Sequence, residues 1–171
     1  MKRLGLSFIV CFLVTLSCVT SGSKEKITEP VIFAEIVEAN GISQETLFTR
    51  TNMWLVDVFR NAESVIQFSD KESGVIKGKY IDNGILDGMF ICRVYSTITI
   101  EIREGRYRIS FSDPTYYYIG DTVNGTPPNY GINDRKERPV ETIDLANNVK
   151  ESWIKLAENL KVNINQSGSS W

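Results

Sequence analysis

Chemistry at neutral pH commonly starts from a histidine, and this 171-residue chain has none. The commonest general base and the commonest metal ligand are therefore both absent. The nucleophiles that remain lack a recognisable setting: there is no Gly-x-Ser-x-Gly elbow, and no glycine-rich loop ends in Gly-Lys-Ser/Thr. Asp82, Asn83 and Asp87 could approach a calcium ion, but their spacing fails the EF-hand pattern. Asp70 with Glu72 is a carboxylate pair that reads better as a capped hairpin turn than as an acid–base couple. No metal, cofactor or catalytic residue is expected, and the chain is not expected to be an enzyme.

The three cysteines carry more information. Cys11 lies inside an apolar run, Leu4–Leu16, that follows Lys2 and Arg3. A run of about 13 residues is too short to span a bilayer and suits a cleaved export signal, residues 1–17. Cys18 follows at once and becomes the candidate lipidation site, although Thr15-Leu16-Ser17 fits a lipobox only at Ser17. Ordinary secretion with cleavage near Ser21–Ser23 is the alternative. Cys92, alone among apolar neighbours in an expected strand, reads as a small buried hydrophobe. The expected location is the periplasm or outer membrane of a Gram-negative bacterium, with residues 18–29 as a polar tether, 30–165 as the folded domain and 166–171 as a flexible tail.

Charge and pattern describe that domain. The net charge of −2 becomes −4 once Lys2 and Arg3 leave, which argues against nucleic acid as a partner on bulk charge. With 42% hydrophobic and 11% aromatic residues there is enough apolar surface for a core. Val31–Glu38 predicts a strand covered on both edges. Ser43 and Glu45 then predict the start of a helix over Thr46–Arg60, whose broad apolar face, Leu47, Thr51, Trp54 and Val58, needs a sheet to cover. Strands are predicted over Ser64–Ser69, Val75–Ile81, Phe90–Arg103 and Arg106–Phe111, with Asp82–Gly88 as a polar connection. A last helix is predicted from about Glu141 to Val162.

The period-two pattern of Phe90–Arg103 sorts Cys92, Val94, Ile98, Ile100 and Ile102 onto one face. If the helices cover that face, the other gathers Lys77, Lys79, Arg93, Tyr95, Arg103, Arg106 and Arg108, opposed in the strands by Glu101. This basic patch on an acidic chain is the first candidate binding face, for an envelope protein or another anionic ligand. Residues 112–139 are read as a long irregular loop, with Tyr116, Tyr117, Tyr118 and Tyr130 as candidate binding residues. Asp121-Thr-Val123 resembles a glycosylation triplet of some bacterial envelope systems but is too short to weigh.

Trp54, Asp57 and Phe59, then Ser64-Val-Ile-Gln67, Asp70-Lys-Glu-Ser-Gly74 and Ile76-Lys-Gly78, carry a family resemblance. Tyr95, Ile98-Thr-Ile100 and Glu104-Gly-Arg-Tyr-Arg-Ile109 extend it. Over residues 30–162 the chain resembles an uncharacterised family of bacterial envelope proteins described as a domain of unknown function with a TBP-like fold. The resemblance implies an α+β domain of order β-α-β4-α, a single antiparallel sheet with two helices packed on one face. It implies no activity, and a TBP-like shape does not imply DNA binding. The expectation is an exported, non-enzymatic binding or protein-interaction module. The alternative is a carrier that holds a small molecule or glycan between sheet and long loop.

Overall fold

The computed structural model describes residues 24–59, 66–121 and 136–166. In chain order these form β1 (Phe33–Glu38), α1 (Gln44–Val58), β2 (Ile66–Asp70), β3 (Val75–Asp87), β4 (Phe90–Arg103), β5 (Arg106–Asp121), β6 (Arg138–Pro139) and α2 (Ile143–Gln166). The strands make one antiparallel sheet of order β1-β5-β4-β3-β2, with β6 paired to β5. Both helices lie on the same face and contact each other. None of the described helices is long and apolar enough to cross a membrane.

Local chemistry sets the elements. Ser43 caps α1 by accepting from the Thr46 amide at 3.2 Å, and Glu104, from the turn after β4, accepts from the Gln44 amide at 2.9 Å. Gly74 closes the β2–β3 turn at φ +68. Its carbonyl accepts from the Ile102 amide at 2.7 Å, so closely that an added Cβ would sit 2.3 Å from the Ile102 carbonyl oxygen. In β4 the alternation is complete: Cys92, Val94, Ser96, Ile98, Ile100 and Ile102 are all buried.

The core fills the space between this face and the helices. Trp54 and Trp153 are 0% and 1% exposed, and Trp153 stacks on Phe111 at 5.4 Å with its ring plane 9° away. Each buried indole removes roughly 200 Å² from water, worth about 5 kcal/mol at ~25 cal/mol per Å². Their N–H groups are satisfied, Trp54 by Asn159 Oδ1 at 2.7 Å and Trp153 by Ser96 Oγ at 3.1 Å. Trp54 is therefore a core residue.

Four expectations change. β1 is an edge strand paired to β5 alone, because its apolar run has two faces and only one is buried: Val37 turns inward while Ile32 and Ile36 are exposed. Asp82–Asp87 is not a connection but the second half of β3, where a bulge around Gly84 absorbs the apparent turn. Ser112–Asp121 is not a loop but the second half of β5. The Asp113-Pro114 step, with Asp113 at φ 53, is a bulge the strand runs through, where a proline without an N–H is tolerated. Lastly, residues 24–28 do not hang free of the domain. Ile27 N–H donates to the Glu141 carbonyl at 2.9 Å, and Ile143 N–H donates to that of Glu25 at 3.0 Å.

Candidate interaction face

The sheet face away from the helices carries no described helix or strand. Its position in each strand follows from the register. Arg103 is opposite Arg106, Glu101 opposite Arg108, Thr97 opposite Lys79, Thr99 opposite Lys77, and Arg93 opposite Asn83 on one side and Tyr117 on the other. All seven residues expected on this face, Lys77, Lys79, Arg93, Tyr95, Arg103, Arg106 and Arg108, share it. Thr97, Thr99, Ser110 and Ser112 run between them as a hydroxyl-bearing middle.

The basic groups are unequally engaged. Arg108 pairs with Glu101 across the strands. Lys79 sits 3.6 Å from Glu137 and 4.3 Å from the Tyr95 ring centroid, a cation over an aromatic face. Arg93 donates to Tyr117 OH at 2.8 Å and to Asn83, and Arg103 donates to the Ser73 carbonyl at 2.6 Å. Lys77 and Arg106 have no ion-pair partner among the described residues. Arg106 faces Arg103 in the register, and like charges directly opposite repel unless something anionic bridges them.

Tyr95 and Tyr117 stand side by side on this face, ring centroids 6.1 Å apart. Partial burial and then the Tyr117 hydroxyl raise the Tyr95 phenol above its ordinary pKa. Tyr116 and Tyr118 point the other way and pack against the core, Tyr118 donating to Asp87 at 2.6 Å. The three tyrosines are thus divided between two faces and form no common loop surface. Tyr130, Cys18 and Thr122-Val123 lie outside the described residues.

Sequence reasoning missed the apolar members of the open face. Phe68, Ile81 and Ile36 are 52%, 42% and 63% exposed. Ile81 shares parity with Lys77 and Lys79, which was signal enough to place it. Tyr117 is among the candidates expected in a loop, but it lies in β5, and the strand places it on the open face beside Tyr95.

Nothing nucleophilic is assembled elsewhere among the described residues. Cys92 is fully buried, and burial pushes its thiol up to about 12. Ser152 and Lys155 have Ser-x-x-Lys spacing, but the half-buried Ser152 donates to Asp82 of β3 while Lys155 pairs with Glu151 on the exposed side of α2. No three His, Cys, Asp or Glu side chains among the described residues converge on a metal-sized site. An open groove of about 510 Å³ does exist, but on α1, lined by Phe48, Asn52, Met53 and Val56, not between the sheet and the chain after Ser112.

Residues 33–117, from β1 into β5, match the model of a family described as a domain of unknown function (DUF4468) with TBP-like fold. The chain belongs to that family. Two crystal structures share its fold. A TBP-like protein from Parabacteroides distasonis superposes with a TM-score of 0.54 at 17% identity, over 77% of this chain and 93% of that one. A DUF4468 family protein from Bacteroides ovatus gives 0.55 at 12% identity, over 88% and 93%. At these identities the likeness shows the fold alone. No curated protein matches the chain.

Proposed function

We propose that this DUF4468 protein is a non-enzymatic binding module, exported and lipid-anchored through Cys18 in the envelope of a Gram-negative bacterium. It works by presenting the open sheet face to an acidic surface of an envelope protein. The observation that carries this reading is the gathering of six basic side chains from three strands onto one uncovered face, with Lys77 and Arg106 left without an ion-pair partner among the described residues. Exposed apolar groups at its margin, Phe68, Ile81 and Ile36, would add contact area around the charged middle.

The test is site-specific photo-crosslinking in cells. A crosslinker at Lys77 should trap one defined envelope protein, and a crosslinker at Asp57 on α1 should not. Arg106→Glu should abolish the Lys77 adduct without changing thermal stability. Equal adducts from both positions, or an adduct insensitive to charge reversal, would sink the proposal. The second reading, a glycan or small-molecule carrier, is favoured by the Tyr95–Tyr117 pair, whose rings could stack a sugar. Native mass spectrometry of protein purified from the envelope would then reveal a co-purifying small molecule.

A further inference from the structure

Met89 occupies the turn between β3 and β4 and is 63% exposed. Turns favour Gly, Asn, Asp and Ser, so an exposed methionine beside Gly88 is not explained by turn chemistry. Leu86, two residues before that turn, is 46% exposed, and Phe90 and Ile91 are only half-buried. The result is an apolar tip at this end of the sheet.

The N-terminal chain is fastened to this same end. Lys24 pairs with Asp87, which is 3% exposed and opposite Phe90 in the ladder. Lys26 bridges to Thr142, and the Glu25 carbonyl accepts from Ile143 N–H at the start of α2. Six peptide steps separate Cys18 from Lys24, which at ~3.3–3.6 Å each reach at most about 20 Å. β4 alone, with 14 residues, is about 45 Å long at ~3.3 Å per residue. Asp87 points to the helix side of the sheet, so the leash departs from the side opposite the basic face.

We infer that the β3–β4 tip, Leu86 and Met89 foremost, rests on the phospholipid bilayer to which Cys18 holds the chain, an inference that depends on the lipid-anchored reading above. The short leash forces the Asp87 end of the fold to the membrane. The apolar tip is the part of that end that gains by leaving water. The turn carrying Glu104, with Arg103 and Arg106 beside it, then stands away from the lipid, where an acidic protein rather than the membrane can reach it.

The cysteine inventory makes the test clean, because an acylated Cys18 offers no free thiol and Cys92 can be changed to Ala. Single variants Met89→Cys, Glu104→Cys and Val56→Cys, labelled with an environment-sensitive fluorophore, are reconstituted as the full lipoprotein in phosphatidylethanolamine–phosphatidylglycerol vesicles with a headgroup quencher. The label at 89 should shift to the blue and lose on the order of half its emission, as expected for insertion by ~5–10 Å. The labels at 104 and 56 should be unaffected. Acylated protein whose label at 89 is unquenched, or whose three labels are quenched alike, overturns the tip placement and leaves the anchor standing. An intact mass showing no acyl chains overturns the anchor, and the inference with it.

Discussion

Asp87 is the least exposed carboxylate described in the fold, and its removal offers a direct measure of how the N-terminal chain is held. It accepts from Tyr118 OH at 2.6 Å and from Lys24, whose ammonium is held above its ordinary pKa chiefly by that bond. Asp87→Ala leaves a half-buried phenol hydroxyl without this acceptor, costing ~1–3 kcal/mol, and removes an ion pair. Lys24 is 45% exposed, so solvent discounts the pair to about 1 kcal/mol or less. The variant should lose about 3 kcal/mol. Asp87→Asn keeps an acceptor for Tyr118 and should lose only about 1 kcal/mol. Urea unfolding gives both values. Hydrogen exchange adds the diagnostic, since the Ile27 and Ile143 amides, bonded between the N-terminal segment and the start of α2, should lose protection in both variants. The reasoning fails if Asp87→Asn is as costly as Asp87→Ala, or if neither changes the protection of Ile27.

Gly74→Ala should destabilise by about 2 kcal/mol or more, since φ +68 strains any L side chain and the new Cβ would meet the Ile102 carbonyl; thermal unfolding reads it. Trp153→Ala should cost ~3–5 kcal/mol, and Trp153→Phe less, although Ser96 Oγ then loses its donor. Alkali should unfold the protein in a defined window. Burial raises Cys92 and Tyr80 to about 12 and raises Tyr107 and Tyr118 further. A raised pKa means the folded state holds the proton more tightly, so its stabilisation is complete below the unfolded value, about 8.5 for Cys and 10 for Tyr. Stability should therefore fall between about pH 9 and 12. Ionisation of the full complement of seven tyrosines, buried ones included, before any loss of circular dichroism would contradict this.

The parts of the fold readable in sequence are those where one periodicity rules. β4 alternates without interruption, so its two faces, and hence the basic face, followed from parity alone. Ser43 announced α1 because its side chain caps the helix locally. The failures share a cause. Asp82-Asn-Gly84 and Asp113-Pro114 are turn chemistry used to make bulges, and only the partner strand decides whether the chain reverses or continues. β1 failed differently. Apolar residues at consecutive positions suggest double cover, whereas Ile36 and Val37 point to opposite faces and only Val37 is buried. Lys24-Glu25-Lys26 reads as tether by composition, since nothing local announces that Asp87, 63 residues away, will bind its first lysine.

That fastening changes what the basic face can do. A domain on a long free tether samples every orientation, and its charged face could meet lipid headgroups as readily as protein. Here the chain is fixed at one end of the sheet and on the helix side, six residues from Cys18, the proposed lipid anchor, and so within about 20 Å of it. Electrostatic attraction is screened over ~8 Å at physiological ionic strength. Arg103 and Arg106, at the end of β4 and start of β5 farthest from Asp87, would then contribute little to membrane attraction and remain free for an acidic partner. Lengthening the leash by insertion after Ser23 should therefore let charge reversal at Arg106 begin to affect vesicle binding, which it should not do in the natural chain. An equal effect of that reversal at both leash lengths would mean that tethering does not select the face.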